Sequence, residues 1–472
     1  MTPRAQAVAA RPSQELELPP LGQPSDPAWL SVSRRRAAAW VRANGFPSSK
    51  QEDWRYTSID PVLAVPLVDG TGTTGRRPSL AVLDLLDLLG PRLGAVRLVM
   101  VNGHLAPELS QRAALPGGAR ILRLEDALAD NPRQLASLWS WRSGGYPHAL
   151  RALSDALATD GVLIDLPAGA VVEEPIEVVL LSAPGGAERW SHPRVVVAAG
   201  AASRATVIEN YLGAPGRPSV TNALTQVMMD DEAQVDHYVM QADSTDGFHF
   251  SSLEVRPGRA SHFSSRLLAV GARIGRHEVQ VALQGEDAEI ELSGLFLTGA
   301  GQVHDNPVLV DHAAPGCRSR QLYKGVAGGD GRGVFNGHIV VRAGANGTDA
   351  QQINKNLLVS DRAEVDTRPR LEIFADDVAC AHGAAVGQLD PGAVFYLRSR
   401  GISYQQARAL LVSGFAREVI DGFADGPIRQ YAELLASAQL DRVVLTRQDG
   451  AAPAPAGGRA SSASAATEGA AR

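Results

Sequence analysis

Several residue types that define common enzyme and binding classes are scarce in this sequence. Cysteine occurs only at Cys317 and Cys380 among 472 residues, which excludes a disulfide framework and a self-contained CxxC…CxxC metal site. Lysine is nearly as rare, since Lys50, Lys324 and Lys355 are the only lysines among 45 Lys and Arg residues. None of the three follows the glycine loop of a P-loop ATPase, so the chain does not carry that nucleotide site.

Long apolar runs and an excess of basic charge are also missing. No stretch reaches the roughly 18 apolar residues of a membrane span, and the first 20 residues lack the apolar segment of a signal peptide. A formal net charge of −6 and a pI near 6.0 give no broad basic field for nucleic acid. We therefore expect a cytoplasmic protein that binds neither membranes nor nucleic acid.

Residue patterning divides the chain into five parts. Short alternating apolar and polar runs, broken by Gly, Asp, Asn and Pro, predict a β-rich core over 161–387. Apolar residues at helical spacing predict a mainly helical N-terminal domain over 26–160 and a C-terminal helical domain over 388–446. Residues 1–25 and 447–472 are rich in Pro, Ala and small polar residues, which predicts a flexible N-terminal tail and a disordered C-terminal tail.

Individual elements can be placed inside the N-terminal domain. The pattern predicts helices over about 26–44, 80–89 and 132–157. A strand-like run lies between them at 96–103.

Similar turns recur along the β-rich core at intervals near 30 residues. The steps between the markers are 31, 27, 28, 45 and 30 residues, and the long step could hold an insertion. Such a period is typical of stacked β-coils, each of which covers the apolar face of its neighbour. On the pattern alone, a β-sandwich is as good an interpretation. The markers are Ala202, Ala233, Ala260, Ala288, Gly333 and Ala363.

The densest group of potential metal ligands lies in ADDVACAHGAAVGQLD, residues 375–390. If VACAH is extended, Cys380 and His382 project from one face, and a thiolate with an imidazole can hold a soft metal. Two ligands are too few for a closed site, so a partner chain would have to supply the others. The alternative interpretation is a buried thiol beside a hydrogen-bonded histidine.

A second group, His304, His312 and Cys317, lies in a loop-rich segment and matches no standard ligand spacing. We interpret that segment as a structural turn. The run GGDGRG at 328–333 is interpreted as a turn between strands rather than a phosphate loop. In EDWRYT at 52–57, the aromatic residues are expected to cover an edge of the core.

Several longer phrases closely resemble the SufB/SufD family of iron–sulfur cluster assembly proteins. They are SRQLYKGV at 319–326, FNGHIVV at 335–341, the run at 351–390 and FYLRSRGI at 395–402. Within the family, the phrase C-x-H-G-x-x-V-G-Q-L-D and the segment FPSSKQEDWRYTS at 46–58 are most like SufD.

This resemblance implies a mainly β fold with a right-handed parallel β-helix core, flanked by N-terminal and C-terminal α-helical regions. It also implies a non-catalytic scaffold subunit in a complex with a SufB-like paralogue and a SufC-like ATPase, which hydrolyses the ATP. No cofactor is then permanently bound, and His382, with Cys380 nearby, would face the SufB interface where a transient iron–sulfur cluster can form. A homodimer of the isolated chain stays open.

The resemblance further implies a SufC-docking surface in the C-terminal helices. Its candidate residues are Phe395, Tyr396, Leu397, Arg398, Arg400, Leu410 and Phe415.

Two other functional interpretations compete with this one. The first is a β-helix carbohydrate-active enzyme, such as a lyase, that uses acidic residues at Asp230, Asp231 and Glu232. Neither G-x-S-x-G nor H-E-x-x-H is present to anchor a hydrolase. The second is a purely structural scaffold in which Cys380 and His382 are core residues with no ligand role.

Overall fold

A computed structural model gives the three-dimensional structure of the chain. It describes residues 18, 21–22, 26–67, 91–111, 113–130, 135–136, 139, 146–183, 190–216 and 218–445. The fold is mainly β and consists of a β-solenoid of about seven turns with helices on both flanks. The predicted fold class is confirmed, and the β-sandwich alternative is wrong.

The strands of the described residues are numbered in chain order. They are β1 Val96–Val101, β2 His104–Leu105, β3 Arg120–Arg123, β4 Gly161–Leu166, β5 Val171–Ser182, β6 Trp190–Ser191, β7 Arg194–Ala199, β8 Arg204–Gly213, β9 Val220–Met229, β10 Gln234–Ala242, β11 Phe248–Arg256, β12 His262–Ala269, β13 Ile274–Leu283, β14 Glu289–Thr298, β15 Val303–His312, β16 Arg318–Ala327, β17 Arg332–Val341, β18 Thr348–Leu358, β19 Glu364–Ile373 and β20 Val378–Gln388.

The helices lie before and after the solenoid. Those of the described residues are α1 Ala28–Asn44, α2 Asp60–Leu63, α3 Leu124–Asp130, α4 Ala149–Leu157, α5 Pro391–Ser399, α6 Tyr404–Ile420 and α7 Pro427–Leu445, with short 3-10 turns at Glu52–Trp54 and Pro116–Gly118.

Two long sheets form the walls of the solenoid. The first sheet has the order β2-β1-β5-β8-β10-β12-β14-β16-β18-β20, and the second has the order β19-β17-β15-β13-β11-β9-β7-β4-β3. Because neighbours within a sheet are mostly two strands apart in the chain and parallel, the chain alternates between the sheets once per coil. Alternate residues therefore point into a shared interior, where a continuous apolar cluster runs from Val96 to Phe335.

A ladder of left-handed turns fixes the spacing of the coils. One residue with positive φ occurs in each coil before a strand of the first sheet, at steps of 33, 30, 28, 27, 29 and 31 residues. Each of these residues donates its backbone N–H to a carbonyl of the next coil at 2.7–3.1 Å. The turns thereby stack with the strands. The ladder consists of Gly169, Ala202, Glu232, Ala260, Asp287, Gly316 and Gly347.

The ladder corrects the predicted 45-residue step. The positions that continue the series after Ala288 are Cys317 and Thr348, which precede or begin β16 and β18. Gly333 lies in β17 and Ala363 precedes β19, so both belong to the second sheet. The long interval arose because the markers moved from one corner of the coil to the other, and it does not mark an insertion.

Helices cover the outer faces of both sheets. Val412 of α6, Tyr431 of α7 and Phe423 in the turn between these helices pack against outward apolar residues of the first sheet, such as Tyr238 and Leu295. Helices α1 and α4, together with Trp54, cover the second sheet around Phe248 and Phe250. The expectation that the EDWRYT segment covers an edge of the core is therefore confirmed for Trp54, which is buried.

The N-terminal region contributes strands as well as helices. The predicted helix over 26–44 is α1, and the predicted strand over 96–103 is β1. Strands β1 and β2 extend the first sheet and β3 extends the second, so both sheets begin before residue 160. The segment 80–89 and nearly all of the two predicted tails lie outside the described residues. The predicted domain bounds stay predictions.

Candidate metal and partner surface at the end of the solenoid

The last two strands leave one end of the solenoid open. Among the described strands, β19 pairs only with β17 in its sheet and β20 only with β18. Most residues of β20 are exposed, including residues that point toward the interior. Exposed apolar side chains also lie in this region at Ile373, Phe374 and Val386. A strand with unpaired backbone groups can accept another strand, so this end has the form of an interaction surface.

Cys380 and His382 lie together at this open end. Both are on β20, where alternate residues share a face. In the register of β18 and β20, Cys380 lies opposite Ala350 and His382 lies opposite Gln352, and both of those partners are fully buried. The two candidate ligands therefore project toward the inside of the terminal coil.

The environments of the two candidate ligands differ. Cys380 is half-buried and packs against the small apolar cluster that contains Ile339 and Val341. Burial raises the pKa of the Cys380 thiol above its ordinary value, while a hydrogen bond from the Ala350 backbone acts in the opposite direction. The thiol is thus protonated at neutral pH. His382 is exposed to solvent and is therefore the more accessible of the two groups.

The donor set is suited to a soft metal but is incomplete. Within the part of the chain that the structure describes, no group of three or more His, Cys, Asp or Glu side chains is placed to hold a metal ion. A sulfur and an imidazole nitrogen suit iron or zinc. Any metal bound here would require ligands from another molecule or from the metal's own inorganic sulfide.

The candidate docking residues of the C-terminal helices fall into two groups. Phe395, Tyr396 and Leu410 are 73%, 55% and 54% exposed, and the Arg400 guanidinium lies 4.4 Å from the centre of the Tyr396 ring. Arg398 and Arg400 are also exposed, and Leu397 is half-buried. These side chains form an exposed aromatic and basic patch on α5 and α6.

Phe415 has a different role from the other candidate docking residues. It is half-buried and packs with the apolar cluster between the helices and the first sheet. The Nζ atom of Lys324 lies 4.3 Å from its ring centre and donates to its carbonyl at 2.8 Å. Phe415 thus contacts the solenoid in this structure.

The sequence patterning did not identify the ionic contact that holds α6 to the solenoid. Glu418 forms ion pairs with Lys324 and Lys355, which are paired in the register of β16 and β18. The charge of Lys324, first through its hydrogen bond, holds the pKa of Glu418 below its ordinary value. The rarity of lysine could have pointed to these positions, because two of the three lysines in the chain meet one carboxylate.

Other residues considered from the sequence have structural roles. His304 and His312 lie on strand β15, so the expectation of a loop-rich segment was wrong there. Their Nε2 atoms lie 2.7 Å from the Gly271 carbonyl and 2.9 Å from Ser319 Oγ. The Cys317 thiol donates to the Gly285 carbonyl at 3.2 Å. The first four residues of the GGDGRG run form the predicted turn between β16 and β17, and Arg332 and Gly333 begin β17.

The acidic cluster proposed for a carbohydrate-active enzyme belongs to the turn ladder. Asp231 and Glu232 are exposed in the turn before β10, where both pair with Arg259, at 3.2 Å and 3.3 Å. Asp230 donates its backbone N–H to the Ala199 carbonyl. These carboxylates thus stabilise a corner of the solenoid.

The fold and the open end define a helix-flanked β-solenoid protein with a half-buried thiol and an exposed imidazole, Cys380 and His382, on its last strand. Comparison with known families matches residues 182–415 to the SufBD core domain of SUF-system iron–sulfur cluster assembly. Residues 23–178 match the SufBD protein N-terminal region. The chain belongs to the SufBD family of iron–sulfur cluster assembly proteins.

Curated relatives support this membership over most of the chain. An iron–sulfur cluster assembly SufBD family protein of Synechocystis is 30% identical to this chain, in an alignment that covers 83% of this chain and 87% of the relative. The iron–sulfur cluster assembly protein SufD of Escherichia coli is 30% identical, with coverage of 82% and 87%. Protein ABCI7, chloroplastic, of Arabidopsis thaliana is 29% identical and is covered over 91% of both chains. The predicted family and its SufD-like character are confirmed.

Proposed function

We propose that this chain is the SufD-type scaffold subunit of a complex with a SufB-like paralogue and a SufC-like ATPase. In this complex the SufC-like partner hydrolyses ATP, and the present chain has no catalytic role. The observation that carries the proposal is the open end of the solenoid, where the unpaired edges of β19 and β20 adjoin Cys380 and His382. The similarity to SufD of Escherichia coli supports the choice of partners.

The paralogue would pair with the open end. A second solenoid of the same width can continue the two sheets through backbone hydrogen bonds and cover Phe374 and Val386. It would also bring further ligands toward Cys380 and His382, which completes a donor set for a nascent iron–sulfur cluster. The cluster is then a transient product of the complex and not a resident cofactor of this chain. A homodimer through the same end is the expected state when the paralogue is missing.

The exposed patch on α5 and α6 would bind the ATPase. Aromatic side chains and arginine are the residue types most enriched at the energetic centres of interfaces. Phe395 and Tyr396 are exposed on one side of α5, and the basic Arg400 lies beside them. Because Glu418 ties α6 to β16 and β18, a movement imposed on these helices would be passed to the solenoid.

The structure bears on localisation only through its helices. None of the described helices is long and apolar enough to cross a membrane. We propose a cytoplasmic location, which suits free thiols at Cys317 and Cys380. One relative carries the description chloroplastic, so fractionation of cells that express the tagged chain is the appropriate check.

Co-expression with the SufB-like and SufC-like proteins of the same organism tests the proposed function. Affinity purification through this chain, followed by native mass spectrometry, should recover one assembly that contains all three proteins. A chain that is recovered alone, with the partners shown to be soluble, would refute the scaffold role.

The candidate ligands are tested within that complex. We expect His382→Ala to lower cluster formation more strongly than Cys380→Ala, because the imidazole is exposed whereas burial keeps the thiol protonated. Loss of cluster formation in Cys380→Ala with full activity in His382→Ala would contradict this ranking. Full activity of the double variant would favour a purely structural scaffold.

A further inference from the structure

The interior just below the terminal strand is lined by amides. On β18, the inward residues Gln352, Asn354 and Asn356 are 0%, 1% and 4% exposed. Apolar side chains fill much of the solenoid interior, as at Val235 and Ile290, although Gln321 in the preceding coil is also buried. Buried amides are costly unless they are hydrogen-bonded, so their position directly below the open end requires a reason.

The carboxamide of Gln352 is held in one orientation. Its Nε2 donates to Gln321 Oε1 at 2.9 Å. The group lies over Gly337 on the facing sheet, where a Cβ atom would come within 2.2 Å of Nε2. These contacts fix the amide, yet its Oε1 has no hydrogen-bond partner among the described residues. A fixed and fully buried acceptor is thus left unused.

His382 follows Gln352 in a column of paired residues that runs across neighbouring strands of the first sheet. Gln321, Gln352 and His382 are successive partners in the register of β16, β18 and β20. Neighbouring strands lie about 4.8 Å apart, a spacing that side-chain hydrogen bonds such as that from Gln352 to Gln321 already span. Gln352 and His382 are therefore cross-strand neighbours, and the imidazole N–H is the nearest donor that the next strand offers to the unused acceptor.

We propose that Gln352 is a positioning residue for His382: rotation of the His382 side chain brings one ring N–H to Gln352 Oε1, a hydrogen bond that the structure does not contain as it stands. The other ring nitrogen is then unprotonated and points its lone pair to the open end. Histidines that bind metals commonly donate their second ring nitrogen to such an acceptor, which fixes the tautomer and the ring orientation. This inference rests on the proposed function for the identity of the ligand, an iron ion or cluster, but the proposed hydrogen bond joins two residues of this chain and needs no partner protein.

Nuclear magnetic resonance of the full-length chain with ring-¹⁵N-labelled histidine tests the proposal. Spectra are recorded at about pH 8.5, two units above the ordinary histidine pKa, where the two neutral tautomers are the forms to be compared. The His382 signals are assigned by their loss in His382→Asn. We expect one dominant tautomer with a slowly exchanging ring N–H. A rapidly exchanging mixture of tautomers in the unmodified chain would overturn the proposal.

Three variants separate the acceptor from general effects on the coil. Gln352→Met removes the acceptor at similar size and should change the tautomer ratio and N–H exchange rate by about threefold to tenfold, the range of a single hydrogen bond. Gln352→Glu keeps an acceptor and should retain the dominant tautomer. Gln351→Met is the matched control, because Gln351 is exposed on the opposite face of the same strand.

The outcomes distinguish this proposal from the proposed function. Identical His382 spectra in Gln352→Met and the unmodified chain would overturn the positioning role, and so would a Glu variant that behaves like the Met variant. Neither result depends on a partner protein or on iron. Failure of the co-expressed complex to form would refute the scaffold role and leave the tautomer measurement intact.

Discussion

At the scale of single residues, buried ion pairs attach the N-terminal segment to the solenoid. Arg276 and Asp305 pair on the outer face of the second sheet, and their side chains are 4% and 3% exposed. Thr57 Oγ1 donates to the same carboxylate at 2.7 Å, and the guanidinium also donates to the Asp53 carbonyl at 3.1 Å and lies 4.1 Å from the centre of the Trp54 ring. The pair thus holds the segment through three contacts, two made by Arg276 and one by Asp305.

We predict that Arg276→Met lowers the free energy of unfolding by roughly 3–5 kcal/mol, the usual result of leaving a buried charge without its partner. Burial already raises the pKa of Asp305, and Arg276 is the strongest influence in the opposite direction. Urea unfolding followed by circular dichroism measures the change.

The matched control for this prediction is Arg318→Met. Arg318 is 62% exposed and pairs with Glu289 at 3.0 Å. An exposed ion pair contributes about 0–1 kcal/mol, so this variant should be nearly neutral. Equal losses in the two arginine variants would contradict the distinction between them.

Buried histidines predict how stability depends on pH. Burial lowers the pKa of His192 to about 3 and those of His304 and His312 to about 4; burial, followed by the charges of other histidines, also depresses that of His277. The unfolded chain therefore binds protons that the folded chain does not. Stability is present above the ordinary pKa of 6.5 and is lost as the pH falls from there toward the lowered values.

Below pH 6.5, each of these histidines should lower the free energy of unfolding by about 1.4 kcal/mol per pH unit. Urea unfolding at a series of pH values between 7.5 and 5 gives the slope. These limits lie roughly one unit above and one and a half units below the ordinary histidine pKa. His304→Asn should reduce the slope by about one proton. An unchanged slope in His304→Asn would contradict the assignment.

At the scale of elements, the turn ladder determines how each strand enters its sheet. Ala202 is exposed with φ 55°, and Ala260 is similar with φ 51°. Residues with a Cβ atom are strained in this conformation by roughly 1–2 kcal/mol, whereas glycine is not. Gly316 and Gly347 occupy equivalent positions without that strain.

We expect Ala202→Gly to stabilise the protein by about 1 kcal/mol, because relief of strain outweighs the entropy that glycine loses on folding. The neighbouring Ala201 has no positive φ, so Ala201→Gly should destabilise by roughly 0.5–1 kcal/mol instead. Thermal unfolding of the two variants gives the comparison. The same sign of change in both would show that the left-handed conformation is not the cause.

Much of the fold was predictable because periodicity is a local property. The alternation of residues, the 30-residue recurrence and α1 could all be deduced from spacing. The recurrence alone could not assign Gly333 and Ala363 to the second corner, because both corners use the same turn residues. Contacts between distant residues were missed for the same reason: Glu418 and Lys324 are separated by more than 90 positions, and no pattern in either segment indicates the other.

The candidate site was predictable in part. Because Cys380 and His382 are two positions apart, the sequence predicted that they share one face of a strand. In the structure both lie on β20. The buried amides Gln352, Asn354 and Asn356 were not predicted, because polar residues that alternate with other residues along a strand normally face solvent. Which face of β18 is buried follows only from the pairing of the whole sheet.

At the scale of the whole molecule, the two candidate partner surfaces use different residues and should be separable. The open end exposes Phe374 at 61% and Val386 at 44%, and the C-terminal helices expose Phe395 at 73% and Tyr396 at 55%. A charge placed on either apolar surface opposes its burial by a partner. If one surface binds the SufB-like paralogue and the other binds the SufC-like ATPase, each can be disrupted alone.

We predict that Phe374→Asp with Val386→Asp removes the paralogue from the purified assembly and retains the ATPase, while Phe395→Asp with Tyr396→Asp does the reverse. Native mass spectrometry of the co-expressed complexes measures which subunits remain. Val171→Asp is the control, because Val171 is 45% exposed on β5 and belongs to neither surface. Loss of both partners from either double variant, with the chain still folded by circular dichroism, would mean that the two surfaces act as one, and the division of roles between the solenoid end and the helices would be wrong.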